Sequence, residues 1–96
     1  MYKVEVLQDR KGYFCVQVTF RDPCEDLFEI ARHNYRFGDK ALADKLAQCV
    51  LSAVRANMPY SPSQVLNEDH WDYVSSVYEH RMAKQVATVY YCEGER

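Results

Sequence analysis

Four cysteines (Cys15, Cys24, Cys49, Cys92) and three histidines (His33, His70, His80) are the first residues of this 96-residue chain that could hold a metal or attack a substrate. Their spacing supports neither. No C-x-x-C pair occurs, and the histidines do not form the closely spaced halves that structural zinc sites use. Buried or half-buried reduced thiols are the simpler reading, because free cysteine is among the most buried residue types. No metal and no cofactor are expected. Cys24 would open a helix, where the dipole favours a thiolate, but Glu25 and Asp26 oppose it and no histidine stands beside it in sequence. A Cys15–Cys92 disulfide would need their strands to pair, and reduced thiols are preferred over it.

The densest polar cluster is Glu68-Asp69-His70-Trp71-Asp72. Its carboxylates and His70 could do general acid–base work, which would also need a pocket that the sequence does not reveal. A solvated helix start, stabilised by its own acids, explains the cluster without any function. Read functionally, Glu68, Asp69, Trp71, Asp72 and Tyr73 form an acidic surface with aromatic anchors. Such a surface suits arginine or lysine on a protein partner, including a partner's nucleic-acid-binding groove.

A basic set comprises Arg10, Lys11, Arg32, Arg36 and Lys40, interleaved with Tyr35 and Phe37. Basic and aromatic residues together can grip single-stranded nucleic acid, but Asp9, Glu29 and Asp39 dilute this field. The only glycines, Gly12, Gly38 and Gly94, are isolated and make no phosphate-binding pattern. Tyr2, Tyr13, Tyr90 and Tyr91 fall on expected strands. Alternation turns some of them away from the core, so a tyrosine-bearing sheet face or edge is a second candidate contact surface.

Positioning these residues falls to a chain with one conspicuous element. Asp39 to Asn57 reads as an amphipathic helix capped by Asp39, with Leu42, Leu46, Cys49, Val50 and Ala53 as its apolar stripe and Pro59 beyond its end. Tyr2–Leu7 and Tyr13–Phe20 read as a hairpin joined by Gln8–Gly12, where Gly12 can supply a positive φ. The alternation in the second strand predicts a sheet covered on one side. Asp22, Pro23 and Glu25 make a helix-start signature, so a helix is predicted from Pro23 to Asn34. A strand from Glu29 to Phe37, with Ala31, His33, Tyr35 and Phe37 on one face, competes with it. A helical turn through Leu66, a helix from Glu68 to about Ala83 and a final strand from Gln85 to Cys92 complete the reading.

The fold class expected is therefore α+β: a single domain over residues 1–96, with a three-stranded antiparallel sheet (N-terminal hairpin plus C-terminal strand) and about three helices on one face. A chain of this length buries about 60–65% of its unfolded surface, enough for a core and little for an enclosed active site. The formal net charge of −2 argues against a general electrostatic hold on nucleic acid. The start of the chain shows no secretory pattern and no stretch reaches membrane-spanning length, so a cytoplasmic protein with no membrane partner is expected. The function expected is non-enzymatic protein binding, of the adaptor or inhibitor type. Small domains of this kind are common among phage and mobile-element proteins that block host defence complexes such as CRISPR effectors. A nucleic-acid-binding or regulatory module is the alternative, and a small enzyme centred on His70 comes third. A homo-oligomer is compatible with any of them.

Overall fold

The structure, a computed structural model, describes residues 2–22, 27–57, 66–67, 69–74 and 85–92. Five strands and one helix are formed by these residues: β1 (Tyr2–Gln8), β2 (Phe14–Asp22), β3 (Leu27–His33), α1 (Lys40–Ala56), β4 (Trp71–Val74) and β5 (Gln85–Cys92). The strands make one antiparallel sheet in the order β4-β3-β2-β1-β5. The α+β class, the hairpin and the return of the last strand to its edge are as the sequence predicts. The strand count is larger.

The hairpin forms where Gly12 takes φ +91, a conformation that costs glycine little. Asp9 organises the turn, its Oδ1 accepting the N–H groups of Lys11 (2.9 Å) and Tyr13 (3.0 Å). The resulting register sets Val4 opposite Val18 and Val6 opposite Val16. These valines, with Tyr2 and Phe20, make the face that α1 covers.

The helix lies where its pattern places it, with Asp39 Oδ1 accepting the Ala41 N–H at 2.9 Å as an N-cap. Its buried stripe is rotated from the predicted one. Ala43, Ala47, Val50, Leu51 and Val54 are buried, Leu46 and Ala53 are half-buried, and Leu42 and Cys49 are exposed. A stripe chosen for large side chains passes over Ala43 and Ala47, which face the sheet.

Over their described residues, two predicted helices give way to strands. Residues 27–32 pair with β2, Gln17 opposite Arg32 and Val18 opposite Ala31, so the competing strand reading holds from Glu29 to His33 and the helix does not form over 27–34. The cap signal at 22–25 is local, whereas pairing along the open edge of β2 satisfies a whole row of backbone groups. Trp71–Val74 likewise adds to β3 instead of opening a helix, in keeping with the strand preference of Trp, Tyr and Val. The rest of that predicted helix (75–83) and the predicted turn before Leu66 lie outside the described residues.

The sheet is not covered on one side only. Glu5, Leu7, Cys15, Gln17, Thr19 and Ile30, which alternate with the residues facing α1, are also buried. Cys15 and Cys92 stand on strands that flank β1 on opposite sides, Cys15 opposite Leu7 and Cys92 opposite Tyr2. They cannot pair, and Cys15 is a free, buried thiol.

Candidate functional site

The strands split the predicted acidic and aromatic surface. Trp71 is only 6% exposed and joins the core cluster, while Asp69, His70, Asp72 and Tyr73 are exposed. Residues alternate across a strand, so Trp71 and Tyr73 share one face of β4 and Asp72 takes the other. Trp71 is thus corrected from surface anchor to core residue. Glu68 lies outside the described residues. Tyr2, another expected contact, is fully buried and packs its ring 4.9 Å from that of Phe20. Tyr90 and Tyr91 stand opposite Val4 and Lys3 in the register of β5.

The basic set is partly assembled. A bridge between Phe14 and Phe37, with paired N–H···O bonds of 2.7 Å, joins the start of β2 to the connection between β3 and α1. It brings the hairpin turn, which carries Arg10 and Lys11, beside the segment that carries Tyr35 and Arg36. All four are exposed. Tyr13 (48% exposed) flanks the bridge on one strand. Tyr35 (59%) packs edge-on against Phe37 at 4.7 Å on the other, and Leu42 (49%) follows in the first turn of α1. Asp9 and Asp39, the acids nearest this end, turn their carboxylates onto backbone N–H groups.

Arg32 and Lys40 leave the set. Lys40 Nζ binds Asp44 Oδ2 at 2.9 Å. Arg32 points to the sheet face away from α1, where it enters a polar row that sequence reading missed. In that row Glu5, Gln17, Arg32 and Asp72 stand directly opposite one another across β1, β2, β3 and β4. Arg32 Nε donates to Gln17 Oε1 at 3.0 Å, Gln17 Nε2 reaches Glu5 Oε1 at 3.5 Å, and Lys3 Nζ lies 3.8 Å from the same carboxylate. The available signal was Glu5 and Gln17 sitting among apolar neighbours at mirror positions about the hairpin turn.

The structure also joins His33 to His70, which are far apart in sequence. Their rings lie nearly parallel, 18° between planes and 6.0 Å between centroids, and His33 meets Trp71 edge-on at 5.0 Å. Burial, and then the neighbouring His70, hold the His33 ring below its ordinary pKa, partly offset by a backbone hydrogen bond at Tyr35.

Among the described residues no group of three or more His, Cys, Asp or Glu side chains is placed to hold a metal ion. No helix among them is long and apolar enough to cross a membrane. Neither a protein-family model, nor a curated protein, nor a solved structure matches the chain.

Proposed function

We propose that this chain is a non-enzymatic protein-binding module of the adaptor or inhibitor type, and that it takes an acidic protein partner on the end of the sheet built around the Phe14–Phe37 bridge. The observation that carries the reading is the Phe14–Phe37 bridge, which sets the turn bearing Arg10, Lys11 and Tyr13 beside the connection bearing Tyr35 and Arg36, all five exposed, with the exposed Leu42 following in the first turn of α1. Tyrosine and arginine dominate the energetic centres of protein interfaces, since each offers a large contact and a directional polar tip. The three cations supply a basic rim, which steers an acidic surface into register.

This relocates the contact surface from the acids of residues 68–72 and reverses the charge expected of the partner. A nucleic-acid ligand is disfavoured at the same surface. Three cations, with Lys40 paired and Arg32 withdrawn, are a small excess on a chain of net charge −2, and Leu42 has no role on a phosphate backbone.

Site-specific photo-crosslinking tests the proposal. A benzoylphenylalanine at position 13, 35 or 42 is expected to trap one and the same protein, whereas one at the exposed Ser52 on α1 traps none. Equal trapping from all four positions, or recovery of RNA or DNA alone, would sink it.

A further inference from the structure

The connection that carries Tyr35 and Arg36 is fastened to the turn ahead of β4 and to the end of β3. The Asn34 N–H donates to the His70 carbonyl (2.9 Å), and Asn34 Nδ2 donates to the Asp69 carbonyl (3.0 Å). The Tyr35 N–H donates to His33 Nδ1 (3.1 Å). Asn67 closes the turn, its Oδ1 accepting from the Asp69 N–H and its carbonyl from the His70 N–H. The two stacked imidazoles therefore sit where connection and turn are joined.

A ring nitrogen that accepts an N–H must carry its lone pair, so His33 is neutral here with its proton on Nε2. A second proton would go to Nδ1. It would set one N–H against another at the Tyr35 contact, and would place a cation, half-buried, beside His70. Other charged groups among the described residues stand on the same elements. Glu29 shares the β3 face of His33, and Arg32 takes the opposite face. Asp72 on β4 is turned to that opposite face as well, and Asp69 and Arg36 are exposed on either side of the junction. Burial and then His70 oppose a proton on His33 and outweigh the Tyr35 backbone, which favours one; the Tyr35 N–H aimed at Nδ1 is the contact that proton would displace.

We infer that the His33–His70 pair is a proton-sensitive clasp on the connection: with His33 neutral it pins Tyr35 and Arg36 in place, and mild acid opens it and dissolves the contact surface. The second half rests on the binding reading above, whereas the clasp is a property of the chain alone.

Two measurements on the full chain separate them. Amide hydrogen exchange of Asn34 and Tyr35, corrected for its intrinsic pH dependence, reads the clasp. Their protection is expected to fall severalfold, up to about tenfold, between pH 7.5 and 5.5, while Val4 and Val18 in the sheet centre stay protected. His33→Asn keeps an acceptor near the position of Nδ1 and takes up no proton, so its protection is expected to stay level over the same range. Level protection in the wild type, a reading that needs no variant, overturns the clasp. So does a pH-dependent loss that persists in His33→Asn.

Capture on an immobilised glutamate–tyrosine copolymer reads the surface. Binding is expected near pH 7.5 and lost near pH 5.5, with His33→Asn showing how much of the loss belongs to the copolymer itself. Failure to bind at pH 7.5 counts against the surface, with the clasp still decided by exchange. Binding that survives at pH 5.5 in the wild type as it does in His33→Asn overturns the regulation.

Discussion

Arg32 Nε donates a 3.0 Å hydrogen bond to Gln17 Oε1 on the next strand, inside the sheet face that α1 does not cover. The bond makes Gln17 the link between a guanidinium and the buried Glu5 carboxylate, and Arg32 Nη2 is buried with no hydrogen-bond partner among the described residues. Gln17→Leu would strip the acceptor from Arg32 and the side-chain amide from Glu5 together. Leaving buried polar groups unmet costs more than a single hydrogen bond contributes, so a loss of about 2–4 kcal/mol is expected in urea unfolding. Replacing Glu5 and Gln17 together by leucine should cost less than Gln17→Leu alone. The reverse order would show that the row is not energetically coupled.

Trp71 separates core from contact surface. It is buried in the cluster that holds Val54, Phe20 and Ala31, and His33 packs edge-on against it. Trp71→Ala should therefore destabilise the fold by about 3–5 kcal/mol. A variant that kept wild-type stability and lost only partner capture would restore Trp71 to the surface.

Much of the scaffold was legible because its signals are short-range. Asp39 and the periodicity after it locate α1, Gly12 and the alternation around it locate the hairpin, and Gln85–Cys92 reads as the strand it is. The signals that failed were local cues overruled by pairing. Asp22-Pro23-Cys24-Glu25 has the chemistry of a helix start, yet residues 27–33 complete the edge of β2. Glu68–Asp72 does too, yet residues 71–74 complete the edge of β3. Once residues 71–74 are a strand, alternation parts Trp71 from Asp72 and the predicted acidic surface loses its anchor. The His33–His70 contact and the Phe14–Phe37 bridge depend on which segments are neighbours, and no spacing in the sequence encodes that.

The rotation of the α1 stripe has a measurable consequence. Val54 is fully buried against the sheet, Leu46 is half-buried and Leu42 is exposed. Val54→Ala should cost about 2 kcal/mol and Leu46→Ala about 1–2, although leucine loses more carbon in the exchange. Leu42→Gln should fall within about 0.5 kcal/mol of the wild type. A cost at Leu42 larger than at Val54, by thermal or urea unfolding, would restore the stripe that the sequence suggests.

Stability should depend on pH through His33. Its folded-state pKa lies below the ordinary value near 6.5, first through burial and then through His70. The unfolded chain therefore takes up the proton first. The contribution is fully present above about pH 6.5 and is lost as pH falls through the lowered folded value. His33→Asn removes that proton, so the fall in its melting temperature between pH 7 and pH 5 should be shallower than in the wild type. Parallel curves would assign the acid sensitivity to other groups.

Fold and contact surface should come apart at Tyr35. The side chain is the most exposed of the large hydrophobic residues described and meets Phe37 by ring edge alone, whereas its backbone N–H makes the bond to His33. Tyr35→Ala keeps that backbone bond and gives up little buried area, so its unfolding midpoint should stay within about 0.5 kcal/mol of the wild type. An anchoring tyrosine, by contrast, costs about 2 kcal/mol or more of binding when truncated, roughly thirtyfold in affinity. Combining Tyr35→Ala with Arg36→Glu removes the anchor and inverts the rim charge beside it. Affinity for an acidic partner should fall further, and the remaining binding should strengthen, not weaken, as salt is raised, since the rim then repels. Wild-type affinity in Tyr35→Ala would move the contact surface away from the Phe14–Phe37 bridge.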